Sequence, residues 1–171
     1  MISVLSVVHD TMVDGPGFRT SIYCAGCPNH CPECHNPQSW DINHGTMTST
    51  EELMKEIMDD PFANVTFSGG DPMFQAEGFA ELARAIRQQS NKTIWCFTGY
   101  LFENLVKNPV QLELLKLIDV LVDGPFMKDL RDEDLFFRGS SNQRIIHVQK
   151  SLQEGKVVEL HLTKENPNPV L

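Results

Sequence analysis

Strand-like and helix-like segments alternate along this sequence of 171 residues, and that order restricts the folds open to it. Short apolar runs typical of buried strands occur at 19–24, 64–67, 93–97 and 118–122. Helical spacing of apolar residues separates them, as in the set Phe79, Leu82, Ala83 and Ile86. A β-α-β-α-β-α-β order predicts an α/β fold with a parallel sheet and helical crossovers.

Further elements are predicted outside these runs. Residues 2–8 and 144–148 have strand-like composition, and 157–162 alternate like a late or edge strand. Ser49 and Glu52 form a capping-box pattern, which predicts a helix that begins after Ser49.

The length of the chain limits the type of sheet. A complete eight-unit β/α barrel needs about 250 residues, so we expect a partial, open β/α barrel with its helices outside. Residues 1–163 are predicted to form a single domain. Residues 164–171 contain two prolines and two asparagines and are predicted to be a loose tail.

Residues suited to ligand binding follow successive strands of the predicted sheet. The cysteine-rich segment 24–34 follows the first run, Gly69-Gly70-Asp71 follows the second, Thr98-Gly99 the third, and Asp123-Gly124 the fourth. Ligands of parallel α/β sheets bind at the carboxyl ends of the strands. We therefore expect one functional site at that edge.

Charge and hydropathy disfavour several classes of partner. The formal net charge of −9 is opposite to the basic surface that nucleic-acid binding requires. The sequence has no apolar run of about 18 residues that would predict a membrane span. Its first residues lack the basic region of a secretory signal, so a cytoplasmic location is predicted. A charged small molecule or another protein is the expected partner.

The cysteines indicate a metal site. Four of the five fall within eleven residues, and an odd total argues against a disulfide framework. One interpretation pairs Cys24 with Cys27, and Cys31 with Cys34, as two knuckles of a zinc site, although only three residues separate the knuckles. The other groups Cys27, Cys31 and Cys34 as three ligands of a 4Fe-4S cluster. Such a cluster usually has four cysteine ligands, so three would leave one iron open.

Several motifs carry a resemblance to a known family. The cysteine loop Cys27-x3-Cys31-x2-Cys34 occurs with segments 14–19, 67–72, 95–100, 122–126 and 138–143. Together they resemble the radical SAM superfamily and, within it, the activating enzymes of glycyl radical enzymes. The resemblance is greatest to activators of anaerobic (class III) ribonucleoside-triphosphate reductase, and it covers residues 14–148.

The resemblance implies one 4Fe-4S cluster, held by Cys27, Cys31 and Cys34, that cleaves S-adenosyl-L-methionine. The resulting 5′-deoxyadenosyl radical would take a hydrogen from a glycine of the reductase, and an unidentified donor would supply the electron. The resemblance also implies which residues contact S-adenosyl-L-methionine: Glu33, Cys34, His35, Gly69, Gly70 and Asp71. Glu33 stands where many members have an aromatic residue.

Alternatives remain at this point. Two other interpretations are an activator of another glycyl radical enzyme, of the lyase type, and a zinc-binding interaction module that is not an enzyme. Asp71 also fits an ordinary helix N-cap, and residues 14–19 fit either a tight turn or a docking site for the glycine of the partner. Cys24 and Cys96 are predicted to be buried and inert.

Overall fold

The computed structural model describes residues 1–32, 34, 37–163 and 166–167. Its strands are β1 (Ile2–Thr11), β2 (Arg19–Cys24), β3 (Thr46–Thr48), β4 (Asn64–Gly69), β5 (Ile94–Phe97), β6 (Val120–Asp123) and β7 (Arg144–His147). Its α-helices are α1 (Thr50–Asp59), α2 (Ala76–Gln89), α3 (Phe102–Leu105), α4 (Pro109–Leu115) and α5 (Val148–Glu154). The predicted α/β class is confirmed.

The seven strands form one mixed sheet in the order β3-β1-β2-β4-β5-β6-β7. The three central pairings, from β2 to β6, are parallel, as predicted. The three outer pairings are antiparallel, which corrects the prediction of a wholly parallel sheet. The connection 12–18 is too short for the crossover that parallel neighbours need, so β1 and β2 pair as a hairpin.

Helices α1 and α2 form where sequence patterns predict them. The backbone N–H of Glu52 donates to Ser49 Oγ at 3.1 Å, and the Ser49 N–H donates to the Glu52 carboxylate at 3.3 Å, which completes the capping box of α1. Helix α2 buries the predicted apolar face against the sheet, and it packs on α1 and α4. No helix in the described part of the chain is both long and apolar enough to cross a membrane.

The two faces of the sheet are covered differently. Alternate residues of β5 and β6 point to opposite sides, since side chains in strands alternate. One side belongs to the large core shared with the helices. The other side holds a smaller apolar cluster of Trp95, Val120, Val122 and Ile145, with Phe137, Leu160 and Leu162 packed against it.

The segment 157–162 makes less regular structure than its alternating pattern predicts. It runs beside β7 through one antiparallel bridge, between Glu159 and Ile146. The Leu160 N–H donates to the Ile145 carbonyl at 2.7 Å. This segment therefore covers the smaller apolar cluster rather than extending the sheet as a full strand.

Candidate iron–sulfur and substrate site

A cavity of about 690 Å³ opens at the carboxyl ends of the parallel strands. This volume is within the range of small-molecule sites, roughly 300–1,000 Å³. Its wall includes six of the predicted site residues: Cys27, Cys31, Cys34, Gly69, Gly70 and Asp71. The structure thus brings together the residues that follow β2 and β4. The other two predicted contacts, Glu33 and His35, lie outside the described residues.

Backbone hydrogen bonds hold both ends of the cysteine loop. At its start, the Gly26 N–H donates to the Ser39 carbonyl at 2.6 Å, and the Cys27 N–H donates to the Trp40 carbonyl at 3.1 Å. At its end, the Cys34 N–H donates to the Cys31 carbonyl at 3.1 Å. None of the three candidate ligands forms a disulfide, and all three are partly exposed.

Cys24 differs from these three thiols. It is the last residue of β2, is fully buried, and pairs with Gly69 across the strands. Cys24 is not among the residues that line the cavity. The position of Cys24 therefore does not suit the fourth ligand of a zinc site. Cys96 is also fully buried, so the prediction that both cysteines are buried is confirmed.

The donor set fits an iron–sulfur cluster. Within the described residues, no three Cys, His, Asp or Glu side chains lie close enough to share one metal ion. In a 4Fe-4S cluster each thiolate binds a different iron, so the sulfurs need only surround the cluster. Cys27, Cys31 and Cys34 meet that condition because they border one cavity.

The surroundings of Cys27 and Cys31 favour the protonated form of both thiols. Burial raises the pKa of both Cys27 and Cys31, and the nearby Asp71 carboxylate raises both further. Hydrogen bonds from the backbone N–H groups of Asn29 and His30 oppose this effect at Cys27. Because metals bind the thiolate, cluster assembly here must release protons.

Asp71 is completely buried at the wall of the cavity. Its Oδ1 accepts hydrogen bonds from the Met73 N–H at 3.0 Å and from Thr98 Oγ1 at 2.8 Å. Its Oδ2 accepts from the Gly99 N–H at 2.9 Å and from Asn29 Nδ2 at 3.2 Å. The N-cap interpretation of Asp71 is therefore confirmed, for a short 3-10 helix at Pro72–Gln75.

Burial also makes Asp71 sensitive to pH, since it raises the pKa of the carboxyl group to about 6. At pH values a little below 6, Asp71 is therefore protonated in the folded chain but ionised in the unfolded chain. The contribution of Asp71 to the free energy of unfolding consequently rises as the pH falls through 6. We expect the difference between wild type and Asp71→Asn to change by about 1 kcal/mol between pH 7 and pH 5, in favour of wild type at pH 5. Urea unfolding at both pH values measures it.

Gln89→Ala supplies the control for this comparison, because Gln89 is exposed and the substitution removes no ionisable group. The difference in unfolding free energy between wild type and Gln89→Ala should stay constant over the same pH interval. A constant difference for Asp71→Asn as well would contradict the raised pKa.

Gly69 and Gly70 are required by backbone packing. Gly69 has φ +109°, which side-chain-bearing residues rarely adopt. A Cβ on Gly70 would lie 2.9 Å from the Ser39 carbonyl oxygen and against the Gly26 carbonyl. The glycines therefore seat the cysteine loop directly on the end of β4, and both also border the cavity.

The segment 14–19 contributes one side chain to the cavity and another to the interior. Asp14 lines the cavity, and its Oδ2 accepts hydrogen bonds from the hydroxyl groups of Tyr23 and Ser21. Arg19 is instead buried beneath the segment, where it donates to Thr66 Oγ1 at 2.8 Å and to the Pro16 carbonyl at 3.1 Å. Burial lowers the pKa of Arg19 to about 10. Arg19 therefore anchors the turn, and Asp14 faces the site.

Sequence reasoning did not identify three further residues that line the cavity, Tyr23, Asn29 and Phe137. Arg138, from the motif segment 138–143, lines it as well. Tyr23 shares a strand face with Arg19 and Ser21 at spacing two, a signal that was present in the sequence. No local pattern identifies Asn29 or Phe137. Asp123, whose role the sequence left open, caps α3 through the Phe102 N–H at 2.9 Å and pairs with Arg144.

Comparison with known proteins gives consistent results. The sequence model of a family described as a 4Fe-4S single cluster domain matches residues 13–146. The anaerobic ribonucleoside-triphosphate reductase-activating protein of Escherichia coli (strain K12) is 36% identical over 146 residues, which span 81% of this chain and 94% of that protein. The protein of the same name from Enterobacteria phage T4 is 35% identical over 139 residues, 78% of this chain and 86% of the phage protein. The protein of the same name from Vibrio cholerae serotype O1 is 35% identical over 144 residues, which span 80% of this chain and 91% of that protein.

Proposed function

Because the chain belongs to the family of anaerobic ribonucleoside-triphosphate reductase-activating proteins, we propose that it installs a glycyl radical on an anaerobic ribonucleoside-triphosphate reductase. The reaction requires a 4Fe-4S cluster and S-adenosyl-L-methionine. When bound, the reduced cluster would supply the one electron needed to cleave the S–C5′ bond, which gives methionine and a 5′-deoxyadenosyl radical. Hydrogen transfer from a reductase glycine to that radical gives 5′-deoxyadenosine and the glycyl radical.

The residues of the site fall into two groups, those that would bind the cluster and those that would bind S-adenosyl-L-methionine. Cys27, Cys31 and Cys34 would hold the cluster, and with three protein ligands it would keep one position open for S-adenosyl-L-methionine. We propose that Gly69, Gly70 and Asp71 border the space for its methionyl end, and that Glu33, Cys34 and His35 also contact S-adenosyl-L-methionine. One observation carries this assignment: three partly exposed thiols and the Gly69–Asp71 segment line one cavity of suitable volume.

Membership of the same family also supports proposals for the fold, the cellular location and the partners of this protein. In this proposal the sheet is the partial, open β/α barrel of radical SAM proteins, and residues 1–163 act as a single domain. Most of the segment 164–171, predicted to be a loose tail, lies outside the described residues. The protein works in the cytoplasm, where thiols stay reduced. Its partners are the reductase and an unidentified electron donor, and the net charge of −9 disfavours nucleic acid as a third.

An electron paramagnetic resonance experiment tests this function. The protein is reconstituted with iron and sulfide without oxygen and then mixed with an anaerobic ribonucleoside-triphosphate reductase, S-adenosyl-L-methionine and a reductant. We expect a glycyl radical doublet together with 5′-deoxyadenosine, because the cluster reduces the sulfonium and the glycine supplies the hydrogen.

Omission of S-adenosyl-L-methionine is the control, and it should remove both products. No doublet with the reductase, but a doublet with a lyase-type glycyl radical enzyme, would assign the chain to a different partner. A colourless protein with one zinc per chain would end the proposal altogether.

A further inference from the structure

Asn29 lies in the cysteine loop, and its side chain folds back towards the sheet. The amide nitrogen Nδ2 is 3.2 Å from Asp71 Oδ2 and 3.8 Å from the Cys27 sulfur. Both distances are within hydrogen-bonding range, given the larger radius of sulfur. The amide therefore bridges a candidate cluster ligand and a buried carboxylate.

The carboxylate that receives this amide is rigidly supported. The other three donors to Asp71 come from Met73, Thr98 and Gly99, which lie at the ends of β4 and β5. Of these four donors, Asn29 alone belongs to the cysteine loop. Its hydrogen bond thus fixes the middle of the loop to the sheet, whereas backbone bonds to Ser39 and Trp40 fix the start of the loop.

Gly99 provides the space that the Asn29 side chain occupies. A Cβ added at Gly99 would lie 2.9 Å from Asn29 Cγ and closer still to its amide nitrogen. Gly99 has no positive φ that would itself demand glycine. The absence of a side chain at Gly99 therefore serves the packing of Asn29.

The amide also influences the charge on sulfur. Burial and the Asp71 carboxylate disfavour the Cys27 thiolate, while the Asn29 amide favours it by donating a hydrogen bond. Hydrogen bonds to cluster sulfurs stabilise negative charge and so raise the reduction potential of iron–sulfur clusters. A donor at Cys27 acts in that direction.

We propose that Asn29 is a positioning residue for the cluster: its amide ties Cys27 to Asp71 and favours the one-electron-reduced state through a hydrogen bond to the Cys27 sulfur. The inference rests on the proposed role of Cys27 as a cluster ligand, and it adds a residue that tunes the reduction. The residue does not touch the reacting atoms, so its effect is measured on the potential rather than on turnover.

The test is a redox titration of the reconstituted protein with dithionite, followed by electron paramagnetic resonance, without reductase or S-adenosyl-L-methionine. A hydrogen bond to a charged group contributes roughly 1.5–3 kcal/mol. In Asn29→Ala we expect the equilibrium constant for reduction to fall about tenfold, which lowers a one-electron midpoint potential by about 59 mV. Asn29→Gln keeps an amide and should restore part of this loss.

Gly99→Ala tests the same contact from the opposite side. The added Cβ displaces the Asn29 amide without changing the cysteine loop, so the potential should fall in the same direction. Asn43→Ala, which removes an exposed amide outside the loop, should leave the potential at the wild-type value.

The outcomes separate this inference from the proposed function. Wild-type potentials in both Asn29→Ala and Gly99→Ala would overturn the inference, as would iron loss in Asn29→Ala combined with an unchanged potential in Gly99→Ala. By contrast, wild-type protein that contains the cluster but makes no 5′-deoxyadenosine would count against the proposed function.

Discussion

Replacement of any one of Cys27, Cys31 and Cys34 by alanine is expected to abolish cleavage of S-adenosyl-L-methionine. Each thiol is proposed to hold a separate iron, so the loss of one leaves an iron without its protein ligand. Mutation of residues that merely support metal ligands already costs about 10–100-fold in affinity or activity, and the loss of a ligand should exceed this. Iron content, visible absorbance and 5′-deoxyadenosine formation measure the effect.

Cys24→Ala and Cys96→Ala are matched controls for these variants. Both residues are fully buried free thiols that do not line the cavity. We expect about four irons per chain in each control, as for the unsubstituted protein, and continued 5′-deoxyadenosine formation. If Cys24→Ala lost its metal as completely as Cys27→Ala, the site would have four cysteine ligands and the open-iron mechanism would fail.

Arg144→Ala is expected to destabilise the fold more than other side-chain truncations at the ends of the strands. Arg144 lies opposite Asp123 where β6 and β7 pair, and it donates to both carboxylate oxygens, at 3.0 and 2.6 Å. Asp123 is fully buried, so the variant leaves an unpaired carboxylate in the interior. Loss of one partner of a buried ion pair costs about 3–5 kcal/mol.

For a chain of this size, that loss corresponds to a Tm lower by about 10 °C. Arg131→Ala is the control, because Arg131 and Glu133 form an exposed ion pair at 3.0 Å. The loss of such a pair is expected to lower the free energy of unfolding by roughly 1 kcal/mol or less. Asp123→Asn in the Arg144→Ala background should recover part of the stability, since it removes the unpaired charge. Equal melting temperatures for Arg144→Ala and Arg131→Ala would show that the buried pair does not stabilise the fold.

Local patterns were sufficient for much of the fold and for the core of the candidate site. The capping box of α1 and the apolar face of α2 depend on neighbours within one or two helical turns, and both are confirmed. The cysteine loop and the Gly69–Asp71 segment follow strands that the sequence predicts. Their convergence is a consequence of parallel pairing.

Contacts between distant segments could not be predicted in this way. The antiparallel pairings at the edges of the sheet depend on how connections such as 12–18 return the chain. The ion pair of Asp123 with Arg144 joins residues 21 positions apart, and the Asn29–Asp71 bond joins residues 42 apart. No periodicity encodes these contacts, because each depends on the register of the completed sheet.

The anchors of the cysteine loop have a consequence for the order of assembly during synthesis. The three candidate ligands lie within the first 34 residues, whereas the groups that hold their loop come from Ser39, Asp71 and Gly99. A growing chain therefore exposes its thiols well before the supporting sheet exists. The contacts that join Asn29, Asp71 and Gly99 form only after translation has passed Gly99. Until then the thiols depend on reducing surroundings, because exposed thiols are open to oxidation.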